Sequence, residues 1–311
     1  MSGEVIVTVT LNAALQVAYI AGDQAAEGVI PVSRPGYRAG GRGVTVARVL
    51  RAFGHDVLAA GLAGGVSGEL IRADLAKSGV PTAFTLIRGE SRRFFRFAGP
   101  DLDGPVLRFG EPAPYITTEE LGRFAADYRR LMTGAAAVVL CGSLPDGLPA
   151  DTYGSLVTYA VEAGVPVILD AGGEELKHAV SHGPDLVVAE SGSTEPGFAA
   201  ALVRLGAGAA AVAAGGLVRA ASAAGEWTAH VANPDPASPP DPDRGALVAG
   251  LVPGQLLGWS WPDRLRHALA LAAGGAGAWT RTPGGQGDRE HVDLAAYERL
   301  LDAVRVEPPA R

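Results

Sequence analysis

The sequence predicts an α/β fold in which parallel strands are joined by helices. Three observations carry that prediction. From Thr117 onward, helical and strand patterns alternate regularly, as expected for strands linked by right-handed helical crossovers. The 311 residues suffice for one large domain with a full core, or for two small ones. Apolar residues make up 48% of the chain but aromatics only 6%, with Gly and Ala supplying much of the remainder. That composition suits helices packed closely on a sheet better than a β-sandwich.

Taken in order, Val5–Leu11 is β-branched and apolar and predicts a strand. The stretch to about Arg38 is irregular, with short alternating runs at Val17–Ile20 and Gly28–Val32. Ala39-Gly40-Gly41-Arg42-Gly43 then opens a helical pattern over Val44–Phe53, with apolar residues at Val46, Val49 and Leu50. Val57–Leu62 reads as a strand and Gly68–Lys77 as a helix. Ser91–Phe97 and Val106–Phe109 predict two short strands around the turn Pro100–Gly104. A helix over Thr118–Met132 precedes strand Ala136–Leu140, loop Cys141–Pro149 and helix Thr152–Ala163. Strand Pro166–Asp170, a helix from about Glu174 and strand Asp185–Ala189 follow, and Ala199–Ala214 reads as a buried helix and strand rather than a membrane span. Asn233–Asp243 breaks the pattern with five prolines. In such sheets ligands sit at the carboxyl ends of the strands, where the glycine-rich loops fall.

The formal net charge of −7 and the lack of a dense Lys/Arg run argue against nucleic-acid binding. Cys141 is the only cysteine, which excludes an intrachain disulfide and cysteine metal clusters. Met1-Ser2-Gly3-Glu4 leads into the first strand without a basic or cleavable leader, so a reducing cytoplasm and no membrane association are expected. His55, His178 and His182 lack metal-ligand spacing, and no metal site is expected. Trp259 and Trp261 read as packing residues, and Cys141 as a buried small residue.

Several motifs then line up over nearly the whole chain. Asn12-Ala13-Ala14-Leu15-Gln16 resembles N-P-A-L-D, and Gly40-Gly41-Arg42-Gly43-Val44-Thr45-Val46-Ala47 resembles G-G-K-G-x-N-x-A. Gly142-Ser143-Leu144-Pro145 with Gly147 resembles G-S-L-P-x-G, and Leu169–Gly173 stands where L-D-T-S-G is usual. Gly110-Glu111-Pro112 matches N-E-P, and Val292-Asp293-Leu294 the closing strand and helix. In this order they are similar to the ribokinase-like (PfkB) carbohydrate kinases, nearest the 1-phosphofructokinase and tagatose-6-phosphate kinase branch. The resemblance implies a single ribokinase-like domain over 1–311, with a doubly wound, mostly parallel sheet flanked by helices. It also implies a small β-sheet lid, from about 13–38 and 91–109, that closes over the sugar and commonly forms a dimer contact. Phe94, Phe95 and Phe97 are the lid residues expected to need covering.

The same resemblance places substrate binding at Gln16, Gly40, Gly41, Arg42, Thr45, Arg92, Gly142 and Ser143. Arg42 and Arg92 match positions that contact a substrate phosphate. Read as residues alone, the glycines equally allow a tight strand-to-helix turn, Gly142 and Ser143 an ordinary turn, and the arginines a solvated surface. Phosphoryl transfer needs a base, donors for the developing charge and Mg²⁺, and the family supplies the first two with G-A-G-D at a helix amino end. Ala246–Leu251 matches the following A-L-V-A-G-L, which places Pro242-Asp243-Arg244-Gly245 on that motif. Gly245 then replaces the catalytic Asp, Pro242 lacks an N–H, and Asp243 brings negative charge that Arg244 is expected to offset.

Other positions depart as well. Gln16 replaces a carboxylate and Thr45 an Asn. The K-P-N-x-x-E stretch reads Val188-Ala189-Glu190-Ser191-Gly192-Ser193. The nucleotide-side S-x-G-x-x-G reads Ala213–Val218, keeping Gly215. A degenerate nucleotide site is thereby assigned to Glu190, Gly215, Pro242 and Arg244. Losing a base costs about 10²–10⁴-fold and an oxyanion donor about 10²–10³-fold. The resulting expectation is a catalytically defective sugar-phosphate kinase homologue that binds a sugar phosphate or an unidentified protein partner, without cofactor, as a homodimer through the lid. One alternative is an active kinase using ATP and Mg²⁺ on fructose 1-phosphate or tagatose 6-phosphate, with Asp243 or Asp241 as a displaced base. The other is a structural dimerising subunit without a small ligand.

Overall fold

Apolar, β-branched segments too short for helices form the strands here, and the intervening amphipathic stretches cover them. The structure, a computed structural model, describes residues 5–20, 31–32, 35–98, 107–190, 197–232, 243–275 and 294–307. In chain order the elements begin with β1 (Val5–Thr10), β2 (Ala14–Ile20), β3 (Gly36–Gly40), α1 (Arg42–Ala52), β4 (Val57–Gly64) and α2 (Gly65–Lys77). Next come β5 (Thr82–Ile87), β6 (Arg93–Ala98), β7 (Leu107–Gly110), α3 (Thr118–Met132), β8 (Ala135–Cys141), α4 (Thr152–Glu162), β9 (Val167–Asp170) and α5 (Gly173–Ala179). The chain continues with β10 (Leu186–Glu190), α6 (Phe198–Arg204), β11 (Ala209–Ala214), β12 (Leu217–Ser222) and β13 (Gly225–Val231), then α7 (Arg244–Leu256), α8 (Trp261–Ala270), α9 (Leu294–Ala303) and β14 (Val304–Glu307).

The larger sheet runs β14-β13-β12-β11-β10-β9-β8-β1-β4-β5. Pairing is parallel from β11 through to β5, and antiparallel across β12, β13 and β14. One apolar layer joins this sheet to α1, α2, α7 and α8, and a second joins the opposite face to α3, α4, α5 and α6. The fold is therefore the α/β, mostly parallel, helix-flanked architecture that the sequence predicts. The antiparallel edge and β5 were not foreseen. β12 (LVRAAS) holds a single β-branched residue, and β5 (TAFTLI) is interrupted by threonines at every third position.

A separate four-stranded sheet has the order β3-β2-β6-β7. Its registers Val17↔Tyr37, Val17↔Phe95 and Phe95↔Phe109 make one row of apolar side chains across all four strands. Phe109 on β7 and Tyr37 on β3 are the well-exposed members, and Leu107, paired with Phe97, is exposed beside them. This corrects the expectation for Phe95 and Phe97: Phe95 packs partly against the main core, and Phe97 stacks on Tyr19 and meets the edge of Phe109. Phe94 is exposed, as expected. The sheet is tied to the body by Asp74, which accepts from the Ala39 N–H (2.7 Å) and pairs with buried Arg48, while Arg48 also donates to the Ala39 carbonyl (3.1 Å). The run Gly28–Val32 (for the most part), the turn Pro100–Gly104 and Val292-Asp293 lie outside the described residues.

Candidate functional site

β1 is flanked by β4 on one side and β8 on the other, so the chain reverses its direction of progress across the sheet at β1. Such a switch point opens a crevice at the carboxyl ends of the strands. Three strand ends meet there: β1 leads to Asn12, β8 to Gly142 and Ser143, and β9 ends on Asp170. The amino end of α1 is laid onto β1 by glycines. A Cβ on Gly41 (φ 123°) would fall 2.7 Å from Thr10 Cγ2, and one on Gly43 would fall 2.4 Å from Thr10 Oγ1. These glycines answer a packing need, and they also bring Arg42 to the crevice. No side chain caps α1 and its first turn holds no acid, so its free N–H groups and Arg42 leave this helix end positive.

Asp170 is the centre of the site. It is fully buried, and each oxygen faces a guanidinium: Oδ2 accepts from Arg42 Nε at 2.6 Å, and Oδ1 lies 2.6 Å from Arg244 Nε. The second contact is an ion pair without the alignment of a good hydrogen bond. Arg244 Nη2 also donates to the main-chain carbonyls of Ala171 (3.0 Å) and Val188 (3.2 Å), so this side chain links β10 to the residue after β9. Burial pushes the Asp170 carboxyl up, and the charges of Arg244 and Arg42 oppose it. Burial prevails, so the carboxyl is held above its ordinary range even with a guanidinium on each oxygen. For Arg42, burial works to lower the guanidinium but the charge of Asp170 prevails and holds it above its ordinary value. The neighbouring Cys141 thiol is driven up by burial first and by Asp170 second, which leaves it inert.

On the other wall, Arg92 lies over the Phe94 ring (4.8 Å) and donates to the Asn12 carbonyl at 3.4 Å. Asn12 Nδ2 reaches Ser143 Oγ (3.3 Å) and the Leu144 carbonyl (3.4 Å), while buried Asn12 Oδ1 and Arg92 Nε have no hydrogen-bond partner among the described residues. No carboxylate among the described residues pairs with Arg92, whose partial burial lowers its pKa. Gln16 stands exposed on β2 with its side chain over Gly40, where an added Cβ would come within 2.9 Å of Gln16 Cγ. Gln16, Phe94 and Arg38 share one face of the small sheet by register.

α7 begins where the sequence placed the phosphoryl-transfer motif. Asp243 is its N-cap: Oδ1 accepts from the Ala246 N–H at 2.8 Å, and the Asp243 N–H donates to the Ala272 carbonyl. Arg244 was expected to offset Asp243; instead it turns inward to Asp170, because a buried carboxylate draws a guanidinium more strongly than one already used as a helix cap. Gly245 is pressed against α1, and a Cβ there would lie 2.8 Å from both Cβ and Cγ2 of Thr45. Pro242, Asp241 and Ser193 are outside the described residues, and of Glu190 only its place at the end of β10 is described. Gly215 and Gly216, both at positive φ (54° and 76°), form the two-residue turn between β11 and β12, a type I′ hairpin requirement.

Of the residues singled out in the sequence, Arg42, Gly142 and Arg244 converge on Asp170, Gly142 through its N–H on the Asp170 carbonyl (3.1 Å). Arg92 and Ser143 are linked by Asn12, and Thr45 meets Gly245. Sequence reasoning passed over Asp170 and Asn12 as site residues. The available signal was a charge closing the apolar strand VILD, at a carboxyl end. Among the described residues no cluster of three His, Cys, Asp or Glu suits a metal ion, and no helix is long and apolar enough to cross a membrane.

The chain belongs to the pfkB family of carbohydrate kinases, whose model matches residues 10–191. Tagatose-6-phosphate kinase from Staphylococcus epidermidis is 33% identical over 175 residues, and the chain spans only about half (56%) of that relative, with the match using 56% of this chain. In three dimensions the chain is similar to a Thermotoga maritima protein described as a possible 1-phosphofructokinase, with TM-score 0.80, 21% identity, and coverage of 99% of this chain and 100% of the other. It is also similar to phosphofructokinase-2 from Escherichia coli in complex with fructose-6-phosphate, with TM-score 0.78, 22% identity, and coverage of 96% and 98%. The family is ATP-dependent, and Mg²⁺ would need a carboxylate in this crevice. Among the described residues the buried carboxylate there is Asp170, and both its oxygens already face arginines. The described residues do not fit the metal.

Proposed function

We propose that this chain is a sugar-phosphate-binding member of the pfkB family that does not transfer phosphate from ATP. The observation that carries the reading is the seating of Gly245 on Thr45, with no room for a Cβ. An acid at this point would require α7 to move away from α1. Asp243, the nearest carboxylate, caps α7, which places negative charge at the helix end where phosphate charge would otherwise be stabilised. The ligand is a phosphorylated ketohexose of the kind named by the relatives. Its phosphate is held by Arg42 at the uncapped end of α1 and by Arg92, and its hydroxyls by Asn12 and Ser143. The small sheet acts as a lid over this crevice.

Calorimetry and a coupled ADP assay test this with tagatose 6-phosphate, fructose 6-phosphate and fructose 1-phosphate. Binding of one of these, without ATP binding and without sugar-dependent ADP release, is the expected result. One observation favours the active alternative: Asp243 Oδ1 lies only 3.3 Å from the Cβ position of Gly245, close to where a base would reach. Turnover of ATP by the unmodified chain that Asp243→Asn abolishes would establish that alternative and overturn the defective-kinase reading.

A further inference from the structure

A hard divalent cation such as Mg²⁺ is held by oxygens, among them carboxylates and main-chain carbonyls. β9, the residue after it and β10 supply such a set: Asp170 Oδ1 and the carbonyls of Ala171 and Val188. All three point at one guanidinium, that of Arg244, at 2.6, 3.0 and 3.2 Å. Arg244 is 13% exposed and Asp170 is 0% exposed, so the cation is enclosed and its position is fixed by these three oxygens. The second Asp170 oxygen holds Arg42. Both guanidiniums lie at a crevice that also receives the open amino end of α1.

We propose that Arg244 is a built-in replacement for a divalent cation: it occupies the oxygen cradle formed by Asp170, Ala171 and Val188 and brings a guanidinium there in place of metal. The replacement has two consequences. Metal has no entry to this cradle while Arg244 fills it. An anion that binds beside it is recognised equally with magnesium present or removed. The first consequence is independent of the proposed ligand; the second rests on the sugar-phosphate reading above.

Titration with Mn²⁺ alone, followed by the paramagnetic signal of the free ion, tests the first consequence on the full chain. The wild type is expected to take up no Mn²⁺ at the crevice. Arg244→Ala and Arg244→Gln, each checked for folding by circular dichroism, are expected to gain a site that Asp170→Asn removes again, whereas Arg244→Lys should gain none. Wild-type uptake of Mn²⁺ that Asp170→Asn abolishes would overturn the proposal, even if neither neutral variant folds. So would a folded Arg244→Ala or Arg244→Gln that gains no site. Calorimetry with tagatose 6-phosphate in EDTA and in excess magnesium adds the second arm. Equal affinity is expected, and magnesium-dependent binding counts against the proposal. Absence of binding in both media would defeat the sugar-phosphate reading and leave the Mn²⁺ result to decide this one.

Discussion

Thr45 on α1 and Gly245 on α7 stand so close that a methyl group on the glycine would lie 2.8 Å from both Cβ and Cγ2 of the threonine. Helices approach to this extent only where one contributes no side chain, and real Cβ contacts do not reach that distance. Gly245→Asp is therefore expected to lose about 1–3 kcal/mol of stability, the usual cost of overpacking, and to show no kinase activity. Gly245→Ala should suffer most of the same loss, because the first added carbon makes the clash. Urea unfolding of the two variants checks this; a neutral Gly245→Ala would mean that α7 adjusts freely.

Removing the presented arginines should separate binding from folding. Arg92 has no carboxylate partner among the described residues, so Arg92→Ala is expected to weaken sugar-phosphate binding about 10–100-fold, the worth of a charge-assisted hydrogen bond, with little change in melting temperature. Arg42→Ala should weaken binding similarly and also lower the melting temperature, because Asp170 loses a partner. Calorimetry and thermal melts on the same preparations distinguish the two.

Stability should fall in mild acid through His267. Its ring lies among Phe53, Trp259 and Tyr297, with centroids 5.8, 5.4 and 5.5 Å away, and burial, then the charge of His55, lowers its pKa from 6.5 to about 4. As pH drops below 6.5 the unfolded chain takes up a proton that the folded chain refuses. Stability is thus present above pH 6.5 and is lost progressively down to about pH 4, by about 3 kcal/mol at most. Melting temperatures measured over this window should show the slope, and His267→Gln should flatten it.

Assembly should run through the small sheet. Its exposed apolar residues Tyr37, Leu107 and Phe109 sit on the two outer strands, and an open strand edge beside such a patch is an invitation to pair. Light scattering is expected to report a dimer, and Leu107→Ser with Phe109→Ser a monomer. A wild type that scatters as a monomer at micromolar concentration would refute this.

Periodicity made the central part of the fold legible. The VIVTVT, VILD and LVVAE runs are apolar on both faces because helices cover both, and such runs announce themselves. The antiparallel edge did not, because LVRAAS carries no β-branched majority and the turn before it, Gly215-Gly216, looked like a relic of a nucleotide loop. In the site, the absence of a carboxylate at position 245 is plain in the sequence. The pairing of Arg244 is not, since its choice of Asp170 over Asp243 depends on which carboxylate is buried. A linear pattern does not report burial across 74 residues of separation, from position 170 to position 244.

The Arg42–Asp170–Arg244 cluster also bears on how this chain can change by mutation. Loss of one partner of a buried ion pair typically costs about 3–5 kcal/mol, a large part of the margin by which a folded domain exceeds its unfolded ensemble. Substituting Arg244 first strands Asp170 with half its neutralisation, and substituting Asp170 first strands two arginines. Exchange at these three positions therefore passes through poorly folded intermediates unless several change together. The cluster makes its three positions mutually conditional: what is tolerated at any one of them is constrained by the other two.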